Sequence, residues 1–163
     1  MILLAEEAVI NVARSYLWVR ETNGANRGEM VDQLVRACGM DPTKRLAWCA
    51  AFATTAGVGA LGSRWPLPRV MGCMSLFDAA KAKGFLRAQP ARGALFLQWK
   101  YVERENVWRF AHTGIITSDR APWTTIEGNS NKAGSRDGDG VFEQTRNWQS
   151  KDVFVHWWET PAA

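Results

Sequence analysis

The residue with the clearest chemical potential is Cys49, which stands between Trp48 and two alanines. Residues 41–45 before it are polar and contain a proline, and the alanine-rich residues 50–60 after it carry apolar side chains at helical spacing. This pattern predicts a helix that begins at Cys49. The free N–H groups and positive dipole end of such a helix stabilise a thiolate, which makes Cys49 a candidate nucleophile. The same pattern fits a buried, inert thiol, because free cysteine is among the most buried residue types.

A cysteine nucleophile needs a base that takes up its proton and returns it to the leaving group, and histidine titrates in the useful range. The chain has two histidines, His112 and His156. His112 is the better candidate, because Thr113-Gly114 beside it allows close approach of another backbone or a ligand. His156 lies in the apolar run 153–158, and we predict that it is an edge or core residue.

A third polar group is needed to orient the imidazole and stabilise its charged form. Glu127 and Asn129 stand two residues apart at the end of a predicted strand, so their side chains are expected to point the same way. If the predicted strands 110–117 and 123–127 form a hairpin, Glu127 can lie across from His112. The stretch around Glu127 also fits a plain polar turn.

The two remaining cysteines, Cys38 and Cys73, make an odd total of three, with no C-x-x-C spacing. This argues against both a disulfide framework and a zinc site. Cys38 stands seven residues after Val31 on the apolar face of a predicted helix, so we predict a core position. Cys73 has no evident chemical partner in the sequence nearby, and we predict a structural role for it as well.

The elements that must position these residues fall into two groups. Helical periodicity predicts helices over residues 2–20, over 29–38 and from Cys49 onward. A capping box formed by Ser75 and Asp78, with Gly84 as the stop, predicts a short helix over about 76–83. Alternating patterns predict strands over residues 94–99, 110–117, 123–127, 140–145 and 153–158. Helices followed by closely spaced strands indicate an α+β fold, with N-terminal helices packed on an antiparallel sheet of about five strands. A length of 163 residues suits one domain.

Charge and hydropathy argue against some classes of protein function. The formal net charge is +4, and the 20 basic residues are scattered without a run of five or six. This argues against a nucleic-acid-binding protein but suits contact with an anionic polymer such as a bacterial envelope. No apolar run approaches the ~18 residues needed to span a bilayer, so no membrane insertion is expected. Residues 1–7 lack a basic leader and include Glu6 and Glu7, unlike a secretory signal. We therefore expect synthesis in the cytoplasm without a signal peptide.

Three short motifs together resemble the CHAP family of cysteine amidohydrolases and peptidases, within the wider papain-like NlpC/P60 group. They are Trp48-Cys49-Ala50-Ala51-Phe52, His112-Thr113-Gly114-Ile115-Ile116 and Ile126-Glu127-Gly128-Asn129. The resemblance covers roughly residues 5–148, and it includes the Asn26-x-Gly28 segment and the Gly138-Asp139-Gly140-Val141 turn. It implies a single papain-like catalytic domain over residues 1–163, with peptidoglycan as the substrate and cleavage of an amide bond.

The resemblance also implies roles for individual residues. Cys49 would be the nucleophile, His112 the general base and acid, Glu127 the residue that orients His112, and Asn129 a further polar member of the site. Whether Glu127 or Asn129 makes the principal contact to the ring stays open. No metal and no cofactor are implied.

Two segments bear on the question of a cation. The acidic calcium loop of some family members has no counterpart at Glu21-Thr22-Asn23-Gly24, which lacks an Asp-x-Asp pattern. Asp137-Gly138-Asp139-Gly140 lacks the remaining ligands of a calcium site and is better explained as a hairpin turn.

Nine tryptophans are many for a chain of this length, and such rings either fill a core or line a groove. Trp48, Trp65 and Trp123 are candidate substrate-binding residues, each with core or edge packing as the alternative.

The enzyme interpretation leaves the bond and the biological setting open. The protein would act either as an N-acetylmuramoyl-L-alanine amidase or as a peptide endopeptidase. It would be a phage endolysin, an effector delivered against rival bacteria, or a host enzyme. We expect a monomer that acts on the cell wall after release or delivery, with a delivery system, a holin or an immunity protein as partner. The alternative is a non-catalytic cell-wall-binding module on the same fold, which the intact Cys49, His112 and Glu127 argue against.

Overall fold

Helices precede strands along the chain, as the sequence predicts. The structure is a computed structural model that describes residues 2–22, 24–132 and 138–159. Within them the α-helices are α1 (Ile2–Ser15), α2 (Glu29–Ala37), α3 (Cys49–Leu61) and α4 (Cys73–Ala82). The strands are β1 (Leu86–Arg87), β2 (Leu95–Val102), β3 (Val107–Ile116), β4 (Trp123–Ser130), β5 (Gly140–Arg146) and β6 (Val153–Val155). The predicted α+β class is confirmed.

The described strands form a single antiparallel sheet in the order β1-β6-β2-β3-β4-β5. The sequence predicts about five strands, and the structure adds β1, which pairs with β6. At two residues β1 is too short for an alternating pattern to reveal it. The predicted hairpin between the strands that carry His112 and Glu127 is confirmed, since β3 pairs with β4 through Ile115 opposite Ile126.

Two helix boundaries differ from the prediction. Helix α1 ends at Ser15 instead of residue 20, and shorter-range backbone bonds continue the chain to Val19. Helix α4 begins at Cys73, three residues earlier than predicted, and its N-cap Gly72 has no side-chain cap bond. The capping box predicted from Ser75 and Asp78 is therefore wrong, and Cys73 is the first residue of a helix. No helix in the described ranges combines the length and apolar character that crossing a membrane requires.

The core lies on both faces of the central strand β2. Leu95 and Leu97 pack into the main cluster, to which the helices α1 to α4 contribute, and Phe96 belongs to a smaller cluster with Ile116 and Phe154. Because successive side chains of a strand point to opposite faces, this division buries both sides of β2 at its start and explains the apolar run Leu95-Phe96-Leu97.

Helix α3 is the element that carries the candidate nucleophile, and it contacts α1, α2 and the strands β3 and β4. Its side chains are apolar or small on every side, which is typical of a helix surrounded by protein. Gly128 of β4 lies directly against this helix, because a Cβ placed there would come within 2.6 Å of the Cβ of Phe52. The absence of a side chain at Gly128 therefore lets the start of α3 approach the sheet where His112 and Glu127 lie.

Candidate active site

Cys49 lies at the N-terminus of α3, where the prediction places it, and lines a cavity of about 290 Å³. Its residue surface is only 3% exposed, so the thiol is reached through that cavity. The N–H groups of the first helical turn have no intrahelical acceptor, and they point toward the end of the helix where Cys49 stands. The local environment favours a negative charge at this position.

The chain before Cys49 is held by a loop near the amino terminus. The indole Nε1 of Trp48 donates to Oε1 of Glu21 at 2.9 Å, and the backbone N–H of Asn26 donates to Oε2 of the same carboxylate at 3.0 Å. The side-chain amide of Asn26 donates to the carbonyl of Arg45 at 2.8 Å. Glu21 and Asn26 therefore fix the segment that leads into α3, and Asn26 also lines the cavity.

His112 is fully buried in β3, and its Nε2 lies 2.6 Å from Oε2 of Glu127. A carboxylate can only accept a hydrogen bond, so Nε2 carries the proton in this contact. The other ring nitrogen, Nδ1, makes no hydrogen bond to any residue that the structure describes. Nδ1 is therefore the nitrogen left to exchange a proton with Cys49.

Gly114 makes the contact between His112 and Glu127 possible. A Cβ at Gly114 would lie 2.8 Å from Cγ of Glu127 and 2.8 Å from the carbonyl oxygen of Ile126. Such distances are too short for a side chain, so only glycine lets β4 and the Glu127 side chain come this close. The close approach predicted beside His112 is confirmed, and the approaching group is the orienting carboxylate.

Glu127 is fully buried and accepts hydrogen bonds from three side chains. Besides His112, the hydroxyl of Thr125 donates to Oε1 at 2.6 Å, and Nε of Arg146 donates to Oε1 at 2.7 Å. Nη2 of Arg146 also donates to Oε2, which makes the guanidinium contact bidentate. Arg146 and Thr125 are members of the site that the sequence analysis missed, because an arginine in an ordinary strand pattern carries no local signal.

The pKa values of Glu127 and His112 show how each side chain influences the charge of the other. Burial alone would raise the pKa of Glu127, but the bonds from Arg146 and His112 outweigh it and lower the pKa to about 2. Burial alone would lower the pKa of His112, but its interactions with Cys49 and Glu127 outweigh that and raise the pKa to about 9. At neutral pH the carboxylate is ionised and the imidazole is protonated.

The thiol of Cys49 interacts in turn with His112. Its pKa is held well below the ordinary value, first by a hydrogen bond with Cys73 and, against the opposing effect of burial, by His112 and the backbone N–H of Thr113. A thiolate paired with an imidazolium is the reactive form of a cysteine nucleophile. The lowered pKa favours a reactive thiolate over an inert buried thiol, because burial alone would raise the pKa.

Cys73 departs from its prediction. Its Sγ lies 3.7 Å from Sγ of Cys49, and it lines the same cavity. The prediction that Cys73 has no chemical partner nearby is therefore wrong, whereas its predicted structural role agrees with its place in the core. The helices α3 and α4 each begin with one of these cysteines, and the fold brings the two helix starts together. Cys38, in contrast, lies half-buried at the end of α2, and burial raises its pKa to about 11.

Asn129 is buried close to the site but departs from the regular strand. The pairing of β4 with β5 shifts between Glu127 and Ser130, and Asn129 has a left-handed backbone with φ of 53°. We expected the side chains of Glu127 and Asn129 to point the same way because we assumed a regular strand. The strand has a bulge between them, so that expectation no longer follows. Glu127 makes the 2.6 Å contact to the imidazole, which answers the question that the sequence leaves open.

Basic side chains surround the cavity. Lys44, Arg45, Arg104 and Arg109 all line it, against the single acidic residue Glu105. Arg109 forms a bidentate contact with Glu105 at 2.7 and 2.9 Å, which is the main reason that its pKa is raised, with smaller contributions from the sulfurs of Cys73 and Cys49. The cavity mouth therefore carries positive charge in excess.

The three tryptophans proposed for substrate binding lie elsewhere. Trp48 is fully buried in the main core, and Trp65 is 6% exposed and packs against Trp157 at 4.9 Å between ring centroids. Trp123 is half-buried and borders a different surface depression with Trp148. The cavity beside Cys49 is lined by none of these three rings, and we assign its surface to the basic residues instead.

His156 is a structural histidine, as predicted. Its Nδ1 lies 2.8 Å from Oε1 of Glu159, its Nε2 lies 2.9 Å from the carbonyl of Gln89, and its ring stacks on Trp158. Both nitrogens are engaged, so neither serves the thiol.

The segment considered as a cation loop is described only in part. Asp137 lies outside the described residues, and the N–H groups of Gly138 and Asp139 donate to the carbonyls of Asn129 and Ser130. These bonds continue the connection between β4 and β5, as expected for a hairpin. Elsewhere in the described part of the chain, no group of three His, Cys, Asp or Glu side chains is arranged to hold a metal ion.

Hydrogen bonds thus join His112, Glu127 and Arg146, and an electrostatic interaction links His112 to Cys49, which lines the basic cavity. Comparison with family models, with curated proteins and with solved structures finds no match to this chain.

Proposed function

We propose that this protein is a cysteine hydrolase that cleaves an amide bond of bacterial cell-wall peptidoglycan. The observation that carries the proposal is the contact of 2.6 Å between His112 and Glu127, beside a Cys49 thiol whose pKa is lowered. Nucleophile, base and orienting carboxylate are the three parts that acyl transfer through a thiol requires. All three are buried, and Cys49 lines the cavity, although Cys49 and Glu127 stand 78 positions apart in the sequence (127 − 49).

The reaction begins with attack by the Cys49 thiolate on the carbonyl carbon of the scissile amide. The carbonyl oxygen becomes an oxyanion, which the N–H groups at the start of α3 stabilise. His112 then gives a proton from Nδ1 to the leaving amine, and the C–N bond breaks to leave a thioester on Cys49.

The second half of the reaction removes the acyl group. Neutral His112 accepts a proton from a water molecule, and the resulting hydroxide attacks the thioester carbon. The S–C bond breaks, the carboxylic acid product leaves, and the thiolate-imidazolium pair is restored. Throughout both halves Glu127 keeps Nε2 protonated and the ring oriented, while Arg146 keeps Glu127 ionised.

The basic cavity mouth supports a substrate that carries carboxylates. Lys44, Arg45 and Arg104 are exposed around the cavity, and the excess of positive charge favours an anionic peptide over a neutral or cationic one. Stem peptides of peptidoglycan carry such carboxylates, so the electrostatics agree with the substrate class that the CHAP resemblance implies. The papain-like NlpC/P60 fold belongs to the same proposal, and the α+β order with a helix-borne cysteine and a strand-borne histidine supports it.

The proposal is tested with purified sacculi and mass spectrometry of the released muropeptides. We expect the wild-type protein to release sugar-free peptides if it is an N-acetylmuramoyl-L-alanine amidase, or shortened stem and cross-bridge fragments if it is an endopeptidase. The Cys49→Ala variant should release neither while its circular dichroism stays native. Cys38→Ala is the matched control, because Cys38 lies outside the cavity, and it should act like the wild type.

Two outcomes would contradict the proposal. Release by Cys49→Ala at the wild-type rate would remove Cys49 from the mechanism. Absence of release by the wild type from every wall type, together with retention on sacculi in a pull-down, would favour a non-catalytic wall-binding module instead.

A further inference from the structure

The pair formed by Cys49 and Cys73 is not explained by the hydrolase mechanism, which needs a single sulfur. The two Sγ atoms lie 3.7 Å apart, about the distance of van der Waals contact, and both cysteines are almost completely buried at 3% and 4% exposure. They stand 24 residues apart in the sequence, each as the first residue of its helix. Both line the cavity through which a small molecule reaches them.

We propose that Cys49 and Cys73 form a reversible disulfide when a peroxide oxidises Cys49, with Cys73 as the resolving cysteine. The modification site is thus the candidate active site itself. Its consequence for catalysis rests on the proposed function of Cys49, whereas the bond itself depends only on the arrangement of the two sulfurs.

The chemistry has two balanced steps. The Cys49 thiolate attacks one oxygen of hydrogen peroxide, the O–O bond breaks, and the sulfur is oxidised to a sulfenic acid while the departing hydroxide takes up a proton to become water. The Cys73 sulfur then attacks the sulfenic sulfur, an S–S bond forms, and the S–O bond breaks. The proton of the Cys73 thiol leaves with the hydroxide as a second water.

The geometry requires only a local adjustment. A disulfide has an S–S bond of ~2.05 Å, so the two sulfurs must approach by about 1.6 Å from their present separation. Gly72, directly before Cys73, also lines the cavity, and a Cβ there would make only an ordinary contact with Ser75 Oγ at 3.6 Å. The start of α4 therefore borders the cavity and is not enclosed by protein on that side.

The nearby groups favour oxidation at Cys49 over the other thiols. His112 stabilises the Cys49 thiolate, and the Arg109 guanidinium lies close enough to interact with both sulfurs. Thiolate character and access determine which cysteine a peroxide attacks first. Cys38 has neither feature, because burial raises its pKa to about 11 and it does not line the cavity.

We expect the disulfide to inactivate Cys49 reversibly and to protect it from further oxidation. Once bonded to Cys73, the Cys49 sulfur cannot attack a carbonyl, and it also cannot be oxidised further to the irreversible sulfinic and sulfonic acids. Reduction by an added dithiol restores both thiols.

The test treats the folded full-length protein with a modest excess of hydrogen peroxide and follows its mass. We expect the wild type to lose the mass of two hydrogens, non-reducing peptide mapping to find the Cys49 peptide joined to the Cys73 peptide, and dithiothreitol to reverse the change. In Cys73→Ser and Cys73→Ala we expect Cys49 to gain the mass of two or three oxygens, which dithiothreitol does not remove. Cys38→Ser is the matched control and should form the same disulfide as the wild type.

The outcomes distinguish this inference from the proposed function, because the readout is mass and does not depend on hydrolysis. Over-oxidised Cys49 without a link to Cys73 in the wild type would overturn the inference, as would a link that joins Cys38 instead. A disulfide in a protein that releases nothing from sacculi would leave the inference standing and the proposed function refuted.

Discussion

The buried carboxylate of Glu127 offers the sharpest test of the site as a chain of charges. Glu127→Gln keeps the size and one acceptor oxygen of the side chain but removes its charge. Arg146, whose side chain is 12% exposed, then loses its anionic partner, and the imidazolium of His112 loses the carboxylate that holds its proton. Removing one partner of a buried charged pair is costly, because it leaves the other charge without compensation.

The size of the effect follows from the pKa of Glu127. Its value in the folded protein is about 2, against an ordinary value of 4.5, a difference of about 2.5. Each unit of pKa corresponds to about 1.4 kcal/mol, so the ionised carboxylate stabilises the fold by about 3 kcal/mol at neutral pH. Because this pKa is lower in the folded than in the unfolded chain, the contribution is complete above pH 4.5 and disappears as the pH falls through 2. About 1 kcal/mol of it remains at pH 3.

Urea denaturation of the wild type and Glu127→Gln at pH 7 and pH 3 measures this contribution. We expect the variant to be less stable by about 3 kcal/mol at pH 7, with a smaller deficit at pH 3. Glu143→Gln is the matched control, since Glu143 is exposed on β5 opposite Ile126 and should change the free energy of unfolding by no more than about 0.5 kcal/mol. A deficit below about 1 kcal/mol at pH 7, or one of the same size at both pH values, would refute an ionised, charge-paired Glu127.

Three further results are expected. Iodoacetamide at neutral pH should alkylate Cys49 well before Cys38, because the pKa of Cys49 is lowered while burial raises that of Cys38 to about 11; equal, slow labelling in a peptide map would contradict this. Hydrolysis should decline on the alkaline side near pH 9, where His112 loses its proton; a pH-rate profile that declines near 6.5 would show an unpaired histidine. Gly128→Ala should destabilise the fold by about 1–3 kcal/mol through contact with α3, whereas Gly72→Ala should cost less in the same denaturation assay.

Much of the fold could be predicted from the sequence, because local patterns determine it. The helical spacing of apolar residues predicted the first three helices, and the change to alternation near residue 93 predicted every strand except β1. The fourth helix was predicted from the spacing of Ser75 and Asp78 and from Gly84. The errors lie where a local signal had two meanings. Ser75 and Asp78 have the spacing of a capping box, but α4 begins earlier at Cys73, so both residues lie inside the helix.

The sequence predicted the reactive residues of the candidate site but not the residues that contact them. Cys49, His112 and Glu127 are unusual enough in type and context to be singled out, and the hairpin of β3 with β4 brings the last two together. The contacts of Arg146 and Cys73 depend on how distant segments pack. Neither stands near its partner in the chain, and nothing in the sequence distinguishes Arg146 from the other arginines or Cys73 from a core cysteine.

The alternating signs of neighbouring charges explain how several ionisable side chains can be buried close together. Along the series the signs alternate, with the Cys49 thiolate, the His112 imidazolium, the Glu127 carboxylate and the Arg146 guanidinium as its four members. The series is neutral as a whole, so its burial does not leave an uncompensated charge. If Arg146 were absent, the desolvated carboxylate would compete for the proton of His112, and the imidazole would pass it to Glu127 instead of to a leaving group. Arg146, which the sequence analysis missed, therefore helps to keep the proton on the histidine, as the proposed chemistry requires.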